Sequence, residues 1–213
     1  MFRIDGELMQ KAAKFGNILY AHFLMLICSI PILTAGAALT ALEYVLLKIY
    51  QDEDSGVTSL FFSSFKQNFK HGTIMWLIYF AVAWVLVLNI NFLAQLDEPS
   101  YLLMFALHVI AVLLMLNMTW GFVLLSRYNN SAINTIKYAF SVGFIYIGYT
   151  VLMFTLAAGT IVLAFWDYGI TPFVLIIGSI LSGSIRPKLY SKVFDKIENV
   201  QKSGSVDQNI AIN

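Results

Sequence analysis

The basic residues of this chain fall into four clusters, and the long apolar segments between the clusters contain no Lys or Arg. Basic residues near short loops are retained on the cytoplasmic side of a membrane. The spacing therefore predicts a polytopic, all-α membrane protein with an even number of crossings between clusters and with both termini in the cytoplasm. The clusters are Arg3, Lys11 and Lys14; Lys48, Lys66 and Lys70; Arg127 and Lys137; and Arg186, Lys188, Lys192, Lys196 and Lys202.

Composition supports the same class. Of the 213 residues, 59% are apolar and 12% are charged, whereas charged residues make up about a quarter of an ordinary soluble domain. The formal net charge of +1 indicates no acidic partner, and nothing in the sequence supports nucleic-acid binding. The single cysteine, Cys28, excludes a disulfide framework or a thiolate metal site within one chain.

We expect a single transmembrane domain over residues 1–202 and a disordered tail over residues 203–213. Six spans in three hairpins are predicted. A span of 16 residues covers only ~24 Å of a hydrocarbon core about 30 Å thick, so the three short spans are expected to be interior or incompletely spanning. The spans are Asn17–Leu33, Ala35–Tyr50, Thr73–Ala94, Tyr101–Leu125, Ala139–Phe165 and Ile170–Ile185.

Two short acidic connections are predicted to face outward. Asp97 lies in the segment 95–100 and Asp167 in the segment 166–169. Connections this short require antiparallel neighbouring helices. Little of the protein is therefore expected outside the membrane.

Small residues mark two of the predicted helices. They follow Thr34 in the second helix, and they include Gly178, Ser182 and Gly183 in the sixth. Small side chains allow helix backbones to approach closely in a membrane. The second helix is therefore predicted to be central, with packing and the lining of a cavity as the two explanations for these residues.

Two cytoplasmic segments, 58–70 and 187–200, alternate apolar and basic side chains at helical spacing. Such helices can lie flat on an anionic membrane surface. The alternative is that they dock a cytoplasmic partner. The candidate lipid-binding or docking residues are Lys66, Lys70, Lys188, Lys192 and Lys196.

Ionisable or polar residues inside a membrane are candidates for function. Residue counts place Glu43 and His22 at similar depth in the first hairpin, so we expect them to pair, with Lys48 as an alternative partner for Glu43. His108 and Asn117 complete the candidate polar site and are expected to form hydrogen bonds between helices. A packing role and a proton or substrate site are both open.

No catalytic motif appears in the sequence. Metalloprotease, serine-hydrolase and phosphate-loop signatures are missing, and the segment 126–137 lacks the coupling loop of an ABC importer permease. The sequence thus predicts neither enzymatic activity nor a cofactor.

The string CSIPILTAGAALTAL at residues 28–42 and the string FFSSFKQNFK at residues 61–70, together with Tyr190-x-x-x-Phe194, resemble the YesL-like membrane proteins, domain of unknown function 624. The resemblance implies a multi-pass protein of the bacterial plasma membrane that occurs beside carbohydrate importers and polysaccharide-degrading enzymes. It implies no established activity and no catalytic residues.

Two functions are therefore considered. The first is an accessory or regulatory component of carbohydrate uptake whose partners are the lipid bilayer and an ABC importer or another membrane protein. The second is a small-solute transporter that uses the interface of the first, second and sixth predicted helices. A mid-depth cavity lined by Glu43, His22 or Asn117 would favour the second.

The predicted orientation can be tested by cysteine labelling in a Cys28→Ser background. Asp97→Cys is expected to react with a membrane-impermeant maleimide added to intact cells. Lys66→Cys and Arg127→Cys are expected to react only after lysis, because basic loops stay in the cytoplasm. The reverse labelling pattern would contradict the whole arrangement.

Overall fold

The computed structural model describes residues 4–53, 56–96, 100–128, 130–166 and 171–210, and each element in these ranges is a helix. The all-α prediction is therefore confirmed for this part of the chain. One turn of 3-10 helix covers Ile32–Thr34. The α-helices are α1 (Ile4–Cys28), α2 (Ala35–Tyr50), α3 (Val57–Ala94), α4 (Tyr101–Arg127), α5 (Ala132–Ile145), α6 (Ile147–Trp166) and α7 (Thr171–Ile210).

Helix α2 lies at the centre of the bundle, where it packs against α1, α3, α4 and α7. A Cβ atom at Gly36 would overlap the carbonyl oxygen of Gly72 in α3, and a Cβ atom at Gly72 would lie 3.0 Å from the Cα atom of Ala37. The two backbones therefore touch at this crossing. Such contact supplies packing energy where lipid provides no hydrophobic drive, so the small residues of α2 serve packing.

Helix α3 is longer than predicted, because the segment 58–70 and the span Thr73–Ala94 form one helix of 38 residues. Such a helix is about 57 Å long and exceeds the hydrocarbon core of about 30 Å. The segment 58–70 is helical as predicted, but it is not a separate surface element. Gly72, which lies at the boundary, fits within the helix and provides the close contact with α2.

The predicted span Ala139–Phe165 is wrong as a single helix, because the chain bends by 105° between α5 and α6. The bend exposes backbone carbonyls that a continuous helix would satisfy. The hydroxyl of Thr150 lies 3.0 Å from the carbonyl oxygens of both Gly143 and Tyr146, and it accepts a hydrogen bond from Nε1 of Trp120 at 2.7 Å. These side chains hold the bend in place.

Helix α7 continues through Pro187, although the last predicted span ended at Ile185. The amphipathic segment 187–200 is thus part of α7, and its buried residues Tyr190, Val193 and Phe194 pack in a core cluster with Trp120 of α4. This apolar stripe contacts the bundle instead of lying flat on the membrane surface.

The described backbone of α7 also includes residues 203–210, which were predicted to be disordered. The disorder of the tail in solution stays a prediction. Residues 211–213 lie outside the described residues.

Among the described residues, α2 with its preceding turn, α3, α4 and α7 are long and apolar enough to cross a membrane, and the bent α5 and α6 pair is a fifth candidate. The helices indicate a lipid bilayer environment. Six spans were predicted. Helix α1 is not among the candidates, because its apolar part, Asn17–Cys28, covers only about 18 Å before Pro31 prevents its continuation.

The outward position of Asp97 and Asp167 remains a prediction, because both residues lie outside the described ranges.

The α2 and α3 crossing yields a stability prediction. Gly36→Ala is expected to destabilise the protein by about 1 to 3 kcal/mol, because a methyl group must displace the α3 backbone. Gly159→Ala in α6 is the matched control, since nothing lies within 4 Å of the added atom. The control is expected to be neutral or to stabilise by up to about 1 kcal/mol through helix propensity. Equal unfolding free energies for both variants in a detergent titration would contradict this packing contact.

Candidate functional site

The centre of the candidate site is Glu43, which lies in α2 and is 4% exposed. Its Oε1 atom is 2.6 Å from Nη2 of Arg186 in α7, whose side chain is 14% exposed. Two helices that are distant in sequence are therefore joined by an ion pair inside the bundle. The pair is held away from water, where charges interact more strongly than at the surface.

Helix α7 reaches α2 because Gly183, almost one turn before Arg186, allows close contact. A Cβ atom at Gly183 would lie 2.6 Å from Cγ2 of Ile18 in α1 and 3.2 Å from Cδ2 of Leu46 in α2. A larger residue would push α7 outward and lengthen the ion pair. The small residues of the sixth predicted helix thus serve packing at this position as well.

Tyr190 provides a second link between α7 and α2. Its hydroxyl donates to the backbone carbonyl oxygen of Glu43 at 3.2 Å, and the side chain is fully buried. Because Tyr190 follows Arg186 by one helical turn, the two side chains project from the same face of α7. Together they hold α7 on α2 at both the side chain and the backbone of Glu43.

The ion pair uses only part of the hydrogen-bonding capacity of these groups. Oε2 of Glu43 and Nε of Arg186 are buried and have no hydrogen-bond partner among the described residues. A buried polar atom without a partner is unfavourable. The arrangement can therefore hold two helices together, and it leaves one acceptor and one donor for a small polar group.

His22 lies near this pair but is not its partner. Its Nδ1 atom donates to the carbonyl oxygen of Ile18 at 2.8 Å, and its Cε1 atom would lie 3.4 Å from a Cβ atom at Gly183. The structure thus pairs Glu43 with Arg186 and not with His22. Lys48, the alternative predicted partner, instead binds Glu53 at 2.5 Å.

The other two candidate polar residues lie elsewhere. Asn117 accepts a hydrogen bond from the hydroxyl of Tyr79 at 2.5 Å and donates to the carbonyl oxygen of Ile136 at 3.0 Å, so it joins α3, α4 and α5. His108 is exposed and donates to the carbonyl oxygen of Met104 at 2.7 Å. The four residues therefore do not form one site.

The basic residues predicted to bind lipid or a partner are all exposed. Among them, Lys196 lies over the rings of Tyr146 and Tyr149, at 5.8 and 5.6 Å from the ring centroids. This position places its charge beside the bend between α5 and α6. The others are Lys66, Lys70, Lys188 and Lys192.

A second ion pair joins the C-terminal end of α4 to α7. Nη2 of Arg127 is 3.1 Å from Oε1 of Glu198, and the hydroxyl of Tyr128 donates to the same carboxylate oxygen at 3.4 Å. Burial, and secondarily the negative charge of Glu198, raises the pKa of Tyr128. The phenol is therefore neutral and acts as a hydrogen-bond donor at physiological pH.

Three clefts open on the described part of the chain, with volumes of about 330, 280 and 300 Å³. The first lies beside Tyr128, the second beside Lys14 and the third beside Thr160. None of these three clefts is lined by Glu43, His22 or Asn117. Within the described residues, no group of three or more His, Cys, Asp or Glu side chains could hold a metal ion.

Sequence reasoning did not identify Arg186 and Tyr190 as parts of the site. Arg186 was assigned to the cytoplasmic basic cluster because it follows the last apolar run. Two signals could have identified it: a carboxylate inside an apolar helix requires a cation, and Arg186 with Tyr190 presents two hydrogen-bond donors at a spacing of one helical turn.

Residues 17–90 match a family model described as "Protein of unknown function, DUF624". The match confirms the predicted resemblance to domain of unknown function 624 over this segment. It includes His22 and Glu43 but ends before Arg186 and Tyr190. Comparisons with curated proteins and with solved structures found no match.

The ion pair predicts a non-additive mutation pattern. Glu43→Gln and Arg186→Met are each expected to destabilise the protein by about 3 to 5 kcal/mol, because each leaves a buried charge or donor without its partner. The double variant Glu43→Gln/Arg186→Met is expected to be destabilised by clearly less than the sum of the two single losses, since no buried charge remains. Unfolding in a denaturing detergent, followed by far-ultraviolet circular dichroism, provides the measurement.

The more exposed ion pair of Arg127 with Glu198 supplies the control. Glu198→Gln is expected to change the unfolding free energy by no more than about 1 kcal/mol, because exposed ion pairs contribute little. If Glu43→Gln has no larger effect than Glu198→Gln, or if the two losses at Glu43 and Arg186 simply add, the pair does not hold α7 on α2.

Proposed function

We propose that this protein is an accessory or regulatory component of the bacterial plasma membrane, associated with carbohydrate uptake. In this role it binds a transporter or sensor through its membrane helices and its cytoplasmic basic residues. The link to carbohydrate uptake comes from the resemblance to the YesL-like proteins. An accessory role is preferred over transport because the buried charges of Glu43 and Arg186 are paired with each other.

The observation that carries the proposal is the internal pairing of Glu43 with Arg186. A transporter needs polar groups that face a water-filled route near mid-depth. Around Glu43, the contact between α2 and α7 is closed by the ion pair and by Tyr190. The three clefts described above are not lined by Glu43 or Arg186.

The proposed orientation places both termini in the cytoplasm. Two ion pairs support it, because each joins basic clusters that the positive-inside rule assigns to one side. Lys14, in the first half of α1, pairs with Asp52 after α2, and Arg127 at the end of α4 pairs with Glu198 in α7. The predicted cytoplasmic ends of these helices therefore lie next to each other.

The faces available to a membrane partner are the outer sides of α3 and α4. Large apolar side chains on these sides are exposed, among them Trp84, Phe92 and Phe105. Lipid tails or the helices of another protein can cover such surfaces equally well. Exposed basic residues at the cytoplasmic ends add a polar contact for the same partner.

Solute transport is the second candidate, and the bend between α5 and α6 favours it. Transporter sites are often formed by helices that break within the membrane. The bend of 105° provides such a break. At this bend, however, the hydroxyl of Thr150 already contacts the carbonyl oxygens and Trp120. The helices would have to separate there before a solute could bind.

The test combines affinity purification with reconstitution. The tagged protein, extracted in a mild detergent after brief cross-linking, is expected to retain subunits of a carbohydrate importer, whereas an unrelated tagged membrane protein of the same cell is not. Deleting the gene is expected to reduce uptake of the importer's sugar. The purified chain alone in liposomes is expected to carry no sugar flux, and flux from the chain alone would show that the accessory role is wrong.

A further inference from the structure

We propose that the cleft between α1, α2 and α7 binds the headgroup of an anionic phospholipid, and we call it the lysine cleft. Its volume is about 280 Å³, and its walls include Lys11, Lys14, Phe15, Ile49, Tyr50 and Ser184. Among the described residues its lining includes no Asp or Glu, although the wall residue Lys14 is paired with Asp52. This site is distinct from the buried ion pair and from the exposed lysines of α3 and α7.

The cleft lies at the depth expected for lipid headgroups. Three helices change from charged or polar to apolar sequence at its walls: α1 after Lys14, α2 before Gln51 and α7 before Arg186. Charged residues mark the interface and apolar runs mark the hydrocarbon region. The opening of the cleft therefore coincides with the boundary between headgroups and acyl chains.

The chemistry of the walls fits a phosphodiester. The ammonium groups of Lys11 and Lys14 supply positive charge, and the hydroxyls of Tyr50 and Ser184 can donate hydrogen bonds. Basic pockets between transmembrane helices on the cytoplasmic side bind anionic headgroups in this manner.

Asp52 competes with a lipid headgroup for the charge of Lys14. It pairs with Lys14 at 2.5 Å, with side chains that are 73% and 38% exposed respectively. A pair this exposed contributes little stability. Lys14 can therefore exchange Asp52 for a phosphate oxygen at a small energetic penalty.

Apolar surface next to the cleft supports a lipid over a soluble phosphate. Phe15 in the wall is 43% exposed. Leu26, eleven residues later, is on the same face of α1 because three helical turns separate the two, and it is 62% exposed. An acyl chain extending from a headgroup in the cleft can cover this stripe, whereas a soluble anion cannot.

Native mass spectrometry of the delipidated protein in neutral detergent tests the proposal. The wild type is expected to hold one phosphatidylglycerol more tightly than phosphatidylcholine. Each basic residue near an anionic headgroup contributes roughly fivefold in affinity, so Lys11→Gln/Lys14→Gln is expected to weaken phosphatidylglycerol binding by about 5- to 30-fold. Lys137→Gln removes a charge from an exposed position outside the cleft and is expected to leave the affinity for phosphatidylglycerol unchanged.

Two further variants separate recognition from folding. Lys11→Arg/Lys14→Arg keeps the charge and is expected to bind phosphatidylglycerol, whereas Ser184→Leu fills the cleft without changing its charge and is expected to lose that binding. Glycerol 3-phosphate in large molar excess is expected not to displace the lipid. Equal affinity for the two lipids, wild-type binding by the Gln or Leu variant, or displacement by glycerol 3-phosphate would overturn the proposal.

Discussion

A polar group inside a lipid bilayer has no water to bind, so its partner must come from the protein itself. This constraint explains the main contacts of the bundle. Glu43 finds Arg186, Asn117 finds Tyr79, and the carbonyls at the bend between α5 and α6 find Thr150. Each contact joins different helices or the two sides of a break, so satisfying the polar groups also fixes which helices are neighbours.

Small residues make these polar contacts geometrically feasible. Gly36 and Gly72 bring α2 and α3 into backbone contact, and Gly183 lets α7 pack closely on side chains of α1 and α2. A guanidinium can reach a buried carboxylate only when the two helices lie this close. Packing and electrostatics therefore depend on each other, and a larger residue at Gly183 would weaken both. The lysine cleft is the place beside Gly183 where the same three helices separate toward the cytoplasm.

Much of the fold was predictable because it follows from local sequence. The apolar runs predicted helices, and α2 has the predicted bounds Ala35–Tyr50. The positions at which helices end or bend could not be predicted from the local sequence. The predicted span limits at Thr73 and Ile185 are not helix ends, because α3 continues through Gly72 and α7 through Pro187, while the chain bends at Tyr146 without a proline. Contacts with neighbouring helices determine whether a helix continues or bends. A glycine that packs against another helix stays helical, and a bend is stable when side chains bind the carbonyl oxygens that it exposes.

The sequence by itself determined the all-helical class, the apolar character that indicates a membrane, the central place of α2 and the presence of a carboxylate, Glu43, inside an apolar helix. It could not determine the partner of Glu43, because residue counts give depth along a helix but not the direction in which a side chain points. Tertiary structure selected Arg186 and Tyr190, which lie about 145 residues away on α7. The physical reason is that hydropathy and helix formation are local properties, whereas an ion pair depends on which helix faces meet.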